Sequence, residues 1–217
     1  MRLGVTDVRA PSVRDTAQVT SRGHDAPSRL PGRGAREDVI DLLADPHVWM
    51  EHKVGTLRGG SRSELSSFED RTGLILPASV REWLSLCNGA FVGPGGAFGV
   101  APQAEALDIE SFLSWSDWAT KGWIPLGGDE TGRYYMAGTA RSVEPEGVVF
   151  FLDTHESADE PWFVVGSDVW HFMKGYLSVE RGEEWWPFDR DAVVTSDPEL
   201  PRYSSLVLPW DRDALAT

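Results

Sequence analysis

The stretch LILPASVREWLSLCNGA, residues 74–90, decides the fold prediction, because it describes one short helix with both ends marked. Pro77 suits the first turn of a helix, where no backbone amide donor is needed. Asn88 and Gly89 tolerate the left-handed conformation of a helix C-cap, so we expect the helix to end there. The apolar face of this helix, at the i, i+3, i+4 and i+7 spacing, is Val80, Trp83, Leu84 and Cys87.

Two further helices are predicted on the N-terminal side of this stretch. The first is REDVIDLLAD, residues 36–45, with acids in the first turn, where the helix dipole favours them. The second opens with a capping-box pattern at Ser61 and Glu64 and stops at Gly73. The apolar side of the first helix is predicted to be Val39, Ile40 and Leu43.

Beyond Gly89 the residue pattern changes to short runs of β-branched and aromatic residues, which are typical of strands. Residues 103–119 are either helical or irregular. Ser167 or Asp168 then caps a last helix with a continuous apolar face. This order predicts an α+β fold, with N-terminal helices packed on one side of an antiparallel meander sheet and a closing helix after it. The predicted strands are WIPLGG (123–128), YYMAG (134–138), GVVFFLD (147–153) and WFVVG (162–166).

Composition divides the chain into three parts. Residues 1–34 hold six Arg and three Asp without apolar periodicity, which predicts a disordered basic N-terminal arm. Residues 35–182 carry the patterned elements and form the predicted domain. Residues 183–217 are expected to pack on that domain or to trail from it as a C-terminal extension. Four tryptophans in less regular surroundings either pin loops onto the core or anchor an interface, namely Trp115, Trp118, Trp185 and Trp186.

The charge distribution restricts the partners. The net charge is −14, and residues 142–200 contribute three basic and 14 acidic side chains. Such a surface repels nucleic acid and anionic membranes and attracts a basic partner. Acidic balance can also serve solubility alone. No apolar run approaches the ~20 residues needed to span a bilayer. We therefore expect a cytoplasmic protein that binds neither nucleic acid nor membrane.

Residues with catalytic or metal-binding potential give weak patterns. Cys87 lies on the apolar helix face, which favours a buried and inert thiol over a nucleophile. Asp153, His155 and Glu156 form the most metal-like cluster, but one imidazole with carboxylates makes a poor zinc site. Asp168 and His171 lie one helical turn apart, where an ion pair is the default. We expect no enzyme activity, no cofactor and no metal.

The ordered set of these motifs resembles the SUKH superfamily, which includes Smi/Knr-type domains of fungal cell-wall regulators and many bacterial immunity proteins. The resemblance covers residues 36–180, from Ser63-Glu64-Leu65 through the closing helix that begins at Ser167. Trp83, Leu84 and Cys87 stand where the family more often has Phe-Leu and a polar residue, a difference that affects packing. The motif residues expected to be structural are Leu76, Pro77, Trp83, Leu84, Asn88, Gly89, Ile124, Pro125 and Gly132.

The resemblance implies a binding module that neutralises a toxin domain, often a nuclease, of a polymorphic toxin system. A basic nuclease site would be complementary to the acidic charge noted above. An intracellular regulatory scaffold that binds host proteins is the alternative, and an unrecognised enzyme or ligand-binding domain is a third reading. The predicted contact residues are acids that follow strands in turn-like sequence: Asp129, Glu130, Asp153, Glu156, Asp159 and Glu160.

Overall fold

The computed structural model describes residues 34–114 and 116–211 of the chain. The prediction of a disordered arm therefore lies, apart from Gly34, outside the described residues, and so does Trp115. The helices are α1 (Ala35–Leu43), α2 (Arg62–Thr72), α3 (Ala78–Leu86), α4 (Ile109–Ser114), α5 (Trp118–Lys121), α6 (Val169–Glu180) and α7 (Arg190–Ser196). The strands are β1 (Trp123–Gly128), β2 (Arg133–Gly138), β3 (Val149–Asp153) and β4 (Phe163–Gly166).

The four strands form one antiparallel meander in the order β1-β2-β3-β4, which confirms the α+β prediction. Each strand lies within two residues of its predicted bounds. β1 carries an irregularity between Pro125 and Gly127, and on its other side the amide of Phe98 donates to the carbonyl of Leu126 at 2.9 Å. Every residue of β1 and β3 is buried, so helices or loops cover both faces of the central sheet.

Helix α6 is the centre of the fold, since it contacts both α1 and α3 and also β4. The buried hydroxyl of Tyr176 donates to the carbonyl of Gly128 at 2.7 Å and accepts from the amide of Gly95 at 3.1 Å. Lys174 reaches Asp38 of α1 at 2.7 Å. These bonds fasten α6 to β1 on one side and to α1 on the other. The predicted apolar face of α6 is confirmed as buried: Val169, Phe172, Met173, Tyr176 and Leu177.

The N-terminal helices follow the sequence prediction with one exception. The capping box of Ser61 and Glu64 is present, and Gly73 ends α2 in the left-handed conformation. In α1 the prediction that Ile40 faces the core is wrong, because its side chain is 39% exposed and Leu42 is buried instead. The buried face of α1 is thus rotated toward the side that packs on α6.

Helix α3 confirms the predicted apolar face but not the predicted end. Its four face residues are fully buried, yet the helix stops at Leu86, and Cys87 is the extended C-cap residue. The prediction that Asn88 and Gly89 form a left-handed cap is therefore wrong. Gly89 does have a positive φ of 84°, but it serves the next loop, where a Cβ atom would lie 2.5 Å from Pro102. Pro77 is the N-cap residue rather than a residue of the first turn.

The side chain of Asn88 holds that loop in place. Its amide nitrogen donates to the carbonyl of Val100 at 2.6 Å, and its oxygen accepts from the Val100 amide at 2.7 Å. Asn88 is 1% exposed, so these two hydrogen bonds satisfy the buried amide and carbonyl of Val100 in the way that a neighbouring strand would. The Asn-Gly motif thus joins α3 to the segment that leads into the sheet.

Residues 183–211 pack against the domain. Trp186 lies against Gly175 of α6, and its indole nitrogen donates to the carbonyl of Val165 at 3.3 Å. Trp118, Trp185 and Trp186 are all buried, which confirms the interpretation that these rings pin loops onto the core.

Candidate partner-binding surface

The predicted contact acids lie in two loops at one end of the sheet. In an antiparallel meander the β1–β2 loop and the β3–β4 loop emerge on the same side, because β1 and β3 run in the same direction. The β1–β2 loop spans residues 129–132 and the β3–β4 loop spans residues 154–162. Topology therefore brings all six predicted residues to the same end of the sheet.

Direct hydrogen bonds hold the two loops together. The amide and the hydroxyl of Thr154 both donate to the carbonyl of Gly132, at 3.0 and 2.7 Å. The Nε2 atom of His155 is within hydrogen-bonding distance of the Thr131 carbonyl. Gly132 has a φ of 92°, and a Cβ atom there would lie 3.0 Å from the His155 ring. A glycine at this position allows the two loops to approach each other closely.

Two of the six acids are structural. Asp153 is the last residue of β3 and is 3% exposed, so the prediction that it lies in an exposed loop is wrong. The β2–β3 register places Arg133 opposite Asp153, and the guanidinium donates to its carboxylate at 3.1 Å. Burial raises the pKa of Asp153, but Arg133 and the amide of His155 outweigh burial and hold that pKa below its usual range.

Asp129 organises the β1–β2 turn. Its carboxylate accepts from the amide and the hydroxyl of Thr131, at 2.9 and 2.7 Å. Arg133 approaches the same carboxylate at 3.5 Å and so lies between Asp129 and Asp153. Asp129 is half-buried, and its carboxylate is already engaged by Thr131 and Arg133. Arg133 was absent from the predicted set, because it is brought to Asp153 by the cross-strand register, which the alternation of residue types does not specify.

The other four acids are exposed, and we call Glu130, Glu156, Asp159 and Glu160 the acidic loop end. Lys121 of α5 lies 3.4 Å from the Asp159 carboxylate and donates to its backbone carbonyl at 3.1 Å. No salt bridge joins Glu130, Glu156 or Glu160 to a basic side chain within residues 34–114 and 116–211. Three of the four carboxylates are thus available to a partner.

The β3–β4 loop is held in position by a tryptophan. Trp118 is fully buried, and its indole nitrogen donates to the carbonyl of Ala158 at 2.9 Å. Its ring meets that of Tyr134 in β2 edge to face, with centroids 5.1 Å apart. The loop that carries three exposed acids is therefore fixed to the core, which lowers the entropy lost on binding.

A family model for SMI1/KNR4 (SUKH-1) matches residues 59–175, which is 117 of the 217 residues. The chain belongs to the SMI1/KNR4 family. The match runs from the entry to α2 to the middle of α6 and contains both acidic loops. Searches of curated proteins and of solved structures returned no match.

The family motif residues lie in the scaffold and not in the acidic loop end. Leu76, Trp83, Leu84 and Asn88 are buried, as is Ile124 in β1. Gly132 is the exception, because it lies between the two loops. In this SMI1/KNR4 domain the motif builds the frame on which the acids are displayed.

Cys87 has the environment of an inert thiol. It is fully buried at the end of α3, and burial raises the pKa of its thiol to about 12. A thiol with that pKa is protonated at neutral pH and is a poor nucleophile. The predicted burial of Cys87 is confirmed.

The metal-like cluster forms a turn. The amide of His155 donates to the Asp153 carboxylate at 3.0 Å, and its ring is directed to Thr131. Among the residues that the structure describes, no group of three or more His, Cys, Asp or Glu is placed to hold a metal ion.

None of the described helices has the length and apolar character needed to cross a bilayer.

A cavity of about 480 Å³, which no sequence motif indicated, lies beside the loop after α3. Its walls are the segment around Trp49 and the segment around Phe91, which meet where the amide of Met50 donates to the carbonyl of Phe91 at 3.1 Å. Met50 and Phe91 are 42% and 45% exposed, so apolar surface borders the opening. The lining includes Trp49, Met50, Glu51, Ala90, Phe91, Gln103 and Leu107.

Proposed function

We propose that this SMI1/KNR4-family chain is a non-enzymatic immunity protein that binds a toxin domain with a basic surface and neutralises it. A nuclease is the toxin class we propose, since its substrate-binding surface is basic. The observation that carries the proposal is the acidic loop end, where four exposed carboxylates stand on two loops that are bonded to each other and to the core. Family membership supports a protein partner, as the resemblance described above implies.

Electrostatics favour this contact surface. The acids of residues 142–200 outnumber the basic side chains by 14 to three, and Glu156, Asp159 and Glu160 of the acidic loop end are among those 14. Clustered charge of one sign raises the rate of encounter with an oppositely charged partner. Complementary charge also disfavours partners of the wrong sign.

The proposal that the chain is not an enzyme follows from the chemistry of its candidate residues. Cys87 is buried with a raised pKa, and Asp153 is paired with Arg133. Each group is engaged in packing or in a turn, which supports a role in binding through surface shape and charge.

A regulatory scaffold that binds host proteins is the second candidate. The cavity beside Trp49 favours it, because exposed apolar side chains such as Met50 and Phe91 anchor contacts that depend little on charge. The two candidates differ in the effect of salt. Association through the acidic loop end weakens as salt rises, whereas association through the apolar border does not.

The test is titration of the toxin domain encoded next to this chain's gene with the full-length protein, followed by the residual toxin activity. A binding inhibitor abolishes activity at a fixed molar ratio and forms a complex that survives gel filtration. The Cys87→Ala variant, which removes the thiol, is expected to give the same endpoint as the wild type.

Two results would contradict the proposal. Failure of the folded wild-type protein to associate with that toxin domain would exclude immunity for this pair. Inactivation of the toxin at far below equimolar amounts would indicate catalysis instead of binding.

A further inference from the structure

The segment of residues 183–211 lies outside the family match and covers the free edge of the sheet. β4 is an edge strand, and the amide of Val164 donates to the carbonyl of Val207 at 2.9 Å. Leu200 of the same segment is fully buried. An uncovered edge strand is a template for unwanted pairing, so the docking of this segment protects the sheet.

One buried carboxylate is the polar anchor of the segment. Asp197 follows α7, is 4% exposed, and accepts from the amide and the hydroxyl of Ser167, both at 2.7 Å. The Nδ1 atom of His171 lies 4.0 Å from the same carboxylate. The Ser167 hydroxyl donates a hydrogen bond to Asp197 and also lies 3.4 Å from the Nδ1 atom of His171, so the three residues join the segment to the start of α6.

His171 is held between two carboxylates. Its Nδ1 atom lies 3.1 Å from Asp168, which confirms the predicted pair, and its side chain is 18% exposed. Asp168 is also the N-cap of α6 and accepts from the amides of Trp170 and His171. Two acids from different segments therefore face one imidazole, which favours its protonated form.

The other charged groups near the ring are paired elsewhere. Lys174, one turn further along α6, is bonded to Asp38 of α1. Arg36 of α1 lies over the ring of Trp170, 5.6 Å from its centroid. Within the described part of the chain, no Lys or Arg forms a salt bridge with Asp168 or Asp197. Among the described basic side chains, His171 is the one that lies within 4.0 Å of both acids.

We propose that His171 is a proton-dependent latch, which in its charged form holds Asp197 and so keeps residues 183–211 docked over the edge of the sheet. The latch joins the family domain to a segment outside the family match. Its working state is set by pH, and it acts independently of any toxin partner.

The sign of the pH effect follows from the pKa of His171. Burial and the nearby charge of Lys174 lower this pKa, but the hydrogen bond of Asp168 and the charges of Asp197 and Asp168 outweigh them and hold it above its ordinary value of 6.5. The stabilisation is therefore complete below pH 6.5 and is lost as pH rises through the raised pKa. Burial raises the pKa of Asp168, but its contacts with His171 lower that pKa by more than burial raises it. Asp168 therefore stays charged over the pH range in which His171 titrates.

The test uses the full-length protein, with NMR titration of the histidines and hydrogen exchange of the amides of residues 190–203. In the wild type the His171 midpoint should lie above 6.5. The equilibrium constant for opening of the segment should rise severalfold from pH 6 to pH 8.5, because deprotonation of His171 removes the attraction between its charge and Asp197. In Asp197→Asn the midpoint should fall and the opening constant should lose most of its pH dependence.

The matched control is His47→Gln, which removes an imidazole that is 70% exposed and pairs with Asp45 outside this cluster. It should leave the opening of residues 190–203 as in the wild type. A wild-type His171 midpoint at or below 6.5 would overturn the proposal even if every variant failed to fold. An unchanged midpoint in a folded Asp197→Asn protein would overturn it as well.

Discussion

The segment from Leu76 to Gly89 and the acidic loop end use their polar groups in opposite ways. In the first, the amide of Asn88 is buried and both of its polar atoms bond the Val100 backbone. In the second, carboxylates stand in solvent on loops whose backbones are already bonded. The family motif thus stabilises the scaffold, while the exposed loop acids are available for recognition. Changes in the first region should alter stability, and changes in the second should alter binding.

The largest effect on stability is expected from Asn88→Ala. This change leaves the buried amide and carbonyl of Val100 without partners, at about 1–3 kcal/mol for each group. We expect the free energy of unfolding, measured by urea titration, to fall by about 2–4 kcal/mol.

Gln103→Ala is the control for this loss, because Gln103 is an exposed amide without a hydrogen bond in the described part of the chain. It should change stability by less than about 0.5 kcal/mol. Equal effects of the two substitutions would show that Asn88 does not hold the loop.

A smaller effect separates the two kinds of acid within the loops. Asp153→Asn weakens the contact with Arg133, whose guanidinium is half exposed, so the loss should be about 1 kcal/mol at neutral pH. The pKa of Asp153 is lowered, so its contribution is present above pH 3.8 and disappears as pH falls through the lowered pKa. The wild-type and Asp153→Asn proteins should therefore converge in stability at the acid end of a pH series.

Glu156→Gln is the matched change at an exposed acid. It should leave stability unchanged within about 0.5 kcal/mol at every pH. A loss as large as that of Asp153→Asn would erase the distinction between structural and exposed acids.

Local patterns predicted the elements but not the pairing between them. The capping box at Ser61, the apolar face of α3 and the strand bounds follow from residues close in sequence. The burial of Asp153 depends on a register that places Arg133 opposite it, 20 residues away. Alternation of residue types does not specify that register.

The same limit explains the two errors in the helices. Ile40 has the right spacing for a core residue, but the position of α6 selects Leu42. Gly89 has the positive φ that its residue type predicts, but it does not end the helix. A glycine is needed there because a Cβ atom would lie too close to Pro102. The exposure of Glu130, Glu156, Asp159 and Glu160 was predicted correctly, because turn sequences place charged residues in solvent.

Matched charge reversals separate the effect of the acidic loop end from that of the charge of the whole molecule. The loop variant changes Glu130, Glu156, Asp159 and Glu160 to Lys. The control variant changes four exposed acids elsewhere to Lys: Asp70, Glu82, Glu146 and Glu184. Both variants shift the net charge by the same amount, and Glu146 lies in the loop at the opposite end of the sheet.

The deciding measurement is the association rate constant of each variant with the toxin domain, recorded by stopped flow across a salt series. At low salt the loop variant should associate at least about tenfold more slowly than the control variant, and the gap should close as salt screens the charges. Equal rate constants for the two folded variants at low salt would contradict the account, because the charge of the whole molecule, and not this surface, would then guide the partner.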